Sequence, residues 1–161
     1  MKPCIIVIKR KHHFSQQNIL RRLLARILSD IEGSDASIYP NELIKDFICI
    51  AQLTNMKIGI YEGHSTQSSF AHELDFFAYK SCDIIFCHTK MNTNLNKRLN
   101  DLHEKGHVDL IVFDNIWLDA ISIKSLVDYE VEKLFELILI KAEKDETFLL
   151  TTNDIKQAKI S

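Results

Sequence analysis

Polar residues of chemical interest follow four apolar runs of this chain. Lys9, Arg10, Lys11, His12 and His13 close the first run, with Ser15 just beyond it. Glu62, Gly63 and His64 close a second, His88 and Lys90 a third, and Asp114 a fourth. The cations suit an anion, and the two imidazoles beside them would make that attraction respond to pH. Glu62 and Asp114 carry the hard oxygen donors that Mg²⁺ prefers. His64, His72 and His88, with Glu62, Glu73 and Asp75, show no HExxH or other metal-helix spacing, so no resident metal site is expected. A GxSxG elbow is absent and no cysteine has an adjacent base, which leaves no covalent nucleophile to assign.

Such residues act together only if the fold brings them to one place. Residues 3–9, "PCIIVIK", form a β-branched run typical of a strand covered on both faces. From Ser15 or Gln16 to Asp30, the apolar residues Ile19, Leu20, Leu23, Leu24, Ile27 and Leu28 recur at helical spacing. "EGSDASIYPN" is rich in turn formers and reads as a loop. Two apolar runs flanking "TNM" predict an antiparallel hairpin from about Asp46 to Glu62. A helix follows, with Phe70, Leu74, Phe77 and Ala78 on one stripe. "CDIIFCH" reads as a buried strand, "NTNLNKRLNDLHEKG" as a helix ending near Gly106, and "VDLIVFDN" as a further buried strand. "SIKSLVDYEVEKLFELILIKAEK" is the longest helix, and its apolar coverage exceeds one stripe.

Alternation of apolar strands with helices predicts an α/β fold: three layers, a mostly parallel sheet with one antiparallel hairpin, and helices on both faces. In such sheets ligands bind beyond the carboxyl ends of the strands, where all four polar groups would converge. Residues 1–145 are expected to form the single domain, and residues 146–161 a C-terminal tail or an edge element.

Bulk properties narrow the function. The 161 residues are 46% apolar and 26% charged with a net charge of −2, the balance of an ordinary globular protein. No apolar segment approaches the roughly 20 residues that span a bilayer, so no membrane partner is expected. Cys4, Cys49, Cys82 and Cys87 lie in apolar runs and read as buried thiols of a cytoplasmic protein.

The opening strand–loop–helix, together with "KIGIYEGHS", "CDIIFCHTK" and "DLIVFDN", resembles a P-loop NTPase of the compact, nucleoside-monophosphate-kinase-like kind. The pattern spans about residues 2–143 and is similar to small bacterial P-loop proteins. The resemblance implies a nucleotide with magnesium as the ligand such a frame would take, and makes Asp114 the counterpart of the acidic residue that ends a Walker B strand. A working loop reads GxxxxGK[ST], in which glycines turn backbone N–H groups towards phosphate. Here Lys9 and Phe14 stand at the glycine positions, Ser15 at the lysine and Gln16 at the hydroxyl. Gly63 is kept in the second motif, but His64 replaces the acid.

Loss of all four signature residues predicts a non-catalytic protein of this kind, a binding, sensing or assembly subunit with a protein partner or a second copy of itself. Two other readings compete. One is an active phosphotransferase or hydrolase with a rearranged site, using Lys9, Arg10 or Lys90 on phosphate and Asp114 on the metal. The other is a nucleic-acid-binding module that uses Arg21, Arg22 and Arg26 of the first helix.

Overall fold

A computed structural model of the chain describes residues 2–9, 19–39, 47–63, 70–89, 93–113 and 123–143. Its strands are β1 (Cys4–Lys9), β2 (Asp35–Ile38), β3 (Phe47–Gln52), β4 (Lys57–Glu62), β5 (Ile84–Thr89) and β6 (Asp109–Phe113). Its helices are α1 (Ile19–Asp30), α2 (Phe70–Tyr79), α3 (Thr93–Glu104) and α4 (Ile123–Glu143). The strands form one sheet in the order β2-β3-β4-β5-β1-β6. Parallel pairs join β4 to β5, β5 to β1 and β1 to β6, while β2–β3 and β3–β4 are antiparallel. The chain is therefore α/β with a mixed, mostly parallel sheet.

Side chains alternate along each strand, and the two alternate sets belong to two apolar cores. Ile6, Ile8, Ile58, Ile60, Ile84 and Phe86 cluster with Leu20, Leu23 and Ile27 of α1 and with Leu134, Phe135 and Ile138 of α4. Ile5, Val7, Tyr61, Ile85 and Cys87 cluster with Leu74 and Phe77 of α2 and with Leu95 and Leu99 of α3. A strand that feeds both cores has no position for a charge until its end, which is why these runs read as continuously apolar. Gly59 on β4 serves the second core by omission. A Cβ there would lie 2.6 Å from Cδ1 of Phe77, so only glycine lets the aromatic ring lie against the strand.

Ion pairs fix the direction of the first core's helices. Arg22 Nη1 donates to Asp128 Oδ1 at 2.9 Å, and Arg26 Nη1 to Glu132 Oε2 at 2.6 Å. Four residues forward on α1 is matched by four forward on α4, so the two helices run parallel. Arg26 also pairs with Asp30 and lies 4.8 Å over the ring of Phe135, which anchors the α1–α4 seam.

Helix α3 ends as its sequence predicts. Gly106 adopts φ +71°, and the His107 N–H reaches back 2.9 Å to the carbonyl of Leu102 in a Schellman closure. Ser81 holds the same left-handed place after α2 with φ +58°, a conformation that costs a non-glycine residue about 1 kcal/mol.

Four expectations need correction. The presumed loop "EGSDASIYPN" contains β2, whose short polar run "DASI" is stabilised by ladder bonds to β3 rather than by apolar alternation. Strand β6 is not buried but lies at the sheet edge among the described residues, with Ile111 and Val112 38% and 47% exposed. Leu28 and Ala78 fall on solvent-facing sides of their helices, because each core stripe is narrower than the apolar pattern. Cys82 is buried just before β5 instead of within a strand. The hairpin, by contrast, forms with Phe47 opposite Glu62 and Gln52 opposite Lys57, as the runs around "TNM" require.

Candidate functional site

The carboxyl ends of β4, β5 and β1 carry the candidate site. Glu62 is the last residue of β4 and lies in register with His88 of β5, and His88 is in turn in register with Ile8 of β1. The Gly63 N–H donates to the His88 carbonyl at 2.9 Å, so the β4–β5 ladder continues one residue past the strand. Lys9 ends β1 opposite Thr89. Four residues expected to converge, Lys9, Glu62, Gly63 and His88, thus share one edge of the sheet. Arg10, Lys11, His12, His13, Ser15, His64, Lys90 and Asp114 lie outside the described residues.

Alternation decides which way the acid and the imidazole face. Glu62 follows Ile58 and Ile60 by even steps, and His88 follows Ile84 and Phe86 in the same way. Both therefore project from the sheet face that supports α1 and α4. Glu62 is 3% exposed and His88 2%. Burial of a carboxylate costs several kcal/mol unless other groups compensate the charge, so an acid and an imidazole enclosed here depend on their partners.

A second buried acid was not singled out from the sequence. Glu130 of α4 belongs to the set of buried polar residues with Glu62 and His88. Its signal was available: it precedes Leu134 and Ile138 by four and eight residues, on the helix stripe that enters the first core.

The other candidates have structural roles. His103 Nδ1 lies 3.2 Å from the Val108 carbonyl and helps close α3, and His107 is exposed in the turn that follows. All four cysteines are buried thiols, and burial pushes Cys49 and Cys82 up to about 11, far from a reactive thiolate. Among the described residues no group of three or more His, Cys, Asp or Glu side chains is placed to hold a metal ion. Arg21 lies 4.7 Å over the ring of Phe47, while Arg22 and Arg26 are engaged by acids of α4. No helix among the described residues is long and apolar enough to cross a membrane.

No protein-family model, no curated protein and no solved structure matches this chain.

Proposed function

We propose that this chain is a non-catalytic, P-loop-NTPase-like protein of three layers that serves as a binding, sensing or assembly subunit. The strand order supports the frame. β1 lies inside the sheet between β5 and β6, and the chain leaves β1 for α1 in one core but leaves β5 for α3 in the other. The carboxyl ends of β1 and β5 therefore border a point where connections diverge, the place at which open α/β sheets take ligands.

The burial of Glu62 and His88 at that place carries the non-catalytic reading. Phosphoryl chemistry needs backbone N–H groups, cations and a metal turned towards the phosphate. Here β5, next to β1, carries a buried imidazole at its penultimate residue, and β4, beyond it, ends in a buried glutamate. The polar side chains at these strand ends are buried within the fold rather than presented to a ligand, and the working surface is one that meets a protein partner in the cytoplasm.

Turnover tests this. Incubation of the full chain with Mg²⁺ and a panel of nucleoside triphosphates and monophosphates should release or transfer no phosphate above the buffer rate. Turnover that disappears in Asp114→Ala would overturn the proposal in favour of the rearranged enzyme.

A further inference from the structure

A second concave region lies far from the crevice, on the sheet face that supports α2. Asp35 of β2, Gln52 of β3 and Lys57 of β4 are successive partners across three strands and form one polar row. Adjacent strands are about 4.8 Å apart, so the acid and the ammonium of this row start roughly 10 Å from each other. Helix α2 covers β4 through Phe77 but leaves the outer strands open beside it. The result is a trough of about 200 Å³ with Ile50 on its floor, Tyr39 on its wall, and Lys80 joining the row at its rim.

Among the described residues the charges of the trough form no ion pairs, and Asp35 Oδ1 accepts only from the neighbouring Ala36 N–H at 2.8 Å. Among the described residues neither Lys57, Lys80 nor Asp35 takes part in a salt bridge, whereas Lys2, Arg22, Arg26, Arg98, Lys105 and Lys133 each do. Lys57 Nζ donates to the Lys80 carbonyl at 3.3 Å, which draws the two lysines to one side. The Lys80 ammonium lies 5.8 Å from the ring centroids of Tyr39, Phe76 and Tyr79, held by aromatic faces instead of by a carboxylate. Asp35 and Lys57 thus stand at the two ends of the row, with the Lys80 ammonium beside Tyr39 and Ile50 as an apolar floor. A volume of 200 Å³ is below the range that takes a drug-sized molecule, and matches a ligand of amino-acid size.

We propose that this trough binds a small zwitterion, an α-amino acid or a molecule of that charge pattern, with its carboxylate on Lys57 and Lys80 and its ammonium on Asp35. The side chain of the ligand would rest on Ile50 and Tyr39. A site of this kind would serve a sensing subunit, yet it shares no residue with the crevice and stands or falls separately from it.

Amide chemical shifts of the ¹⁵N-labelled full chain test the site, with each common amino acid as probe and acetate and butylamine as single-charge controls. At least one amino acid should shift Asp35, Lys57 and Lys80 saturably, and neither control should do so at equal concentration. Lys80→Met and Asp35→Asn should each weaken that binding by about tenfold or more, the size of one lost charged hydrogen bond. Asp114→Ala should leave it unchanged. Acetate that binds as well as any amino acid would reduce the trough to a simple anion site and overturn the proposal. So would the absence of saturable shifts with every amino acid, or full affinity in Lys80→Met.

Discussion

The two ends of the parallel strands are built on opposite principles. At the amino ends, backbone groups and two carboxylates tie neighbours together. The Asp83 N–H donates to the Lys57 carbonyl and the Cys4 N–H to the Asp83 carbonyl, while Asp83 Oδ2 accepts from the Lys57 N–H at 2.8 Å. The Asp109 N–H donates to the Pro3 carbonyl, and Lys2 pairs with Asp109 at 2.9 Å where both are half exposed. Every charge at this end keeps contact with water or a backbone donor, so the arrangement costs little. At the carboxyl ends, Glu62 and His88 are withdrawn from water altogether. A chain concerned only with stability would end both strands as it begins them. The difference sets the carboxyl ends apart as the ends at which polar side chains are buried.

Substitutions at the two ends should differ several-fold in effect. Glu62→Leu and His88→Leu should each cost about 3 kcal/mol in chemical denaturation, because each leaves a buried polar neighbour behind. The double variant should recover most of that loss, and strictly additive losses would show that the two do not act as a unit. Midway along β4, Gly59→Ala should cost about 2 kcal/mol by forcing the Phe77 ring off the strand. A variant as stable as the parent would mean that the ring has room to move.

The amino end should answer more weakly. Asp83→Ala removes one acceptor of a backbone N–H and should cost about 1 kcal/mol. Lys2→Ala should cost less still, at the scale of about 0.5 kcal/mol seen for exposed pairs. Its signature is pH dependence. The hydrogen bond from Lys2 holds the Asp109 carboxyl below its ordinary range; burial opposes it, and the charges of Lys2, Lys141 and His103 add to the lowering. A depressed carboxyl contributes stability above its unfolded value and loses it as pH falls through the folded one. The gap between parent and Lys2→Ala should therefore close as pH drops below about 4, and a constant gap would contradict the assignment.

The fold was legible because its strands feed two cores. "CIIVIK", "KIGIYE" and "IIFCHT" are apolar on both alternate sets, a pattern that little besides a covered strand produces. β2 was hidden for the reverse reason, since "DASI" owes its pairing to β3 and carries no apolar signal. The site was legible in position and not in character. Glu62 and His88 were marked by where their strands end, but nothing in their types distinguishes an exposed ligand group from one closed inside. Burial depends on tertiary packing over the sheet, which a local pattern does not encode. Glu130 was missed because a charged residue on a helix is usually assigned to solvent, although its spacing from Leu134 placed it inward.

Calorimetric titration of the full chain with ATP, GTP and nucleoside monophosphates, with and without Mg²⁺, tests the central claim most directly. The proposed non-catalytic role predicts no Mg²⁺-dependent binding to any of them. Tight binding that requires Mg²⁺ and is abolished by Ser15→Ala or Asp114→Ala would contradict it, and would return the carboxyl ends of these strands to nucleotide chemistry.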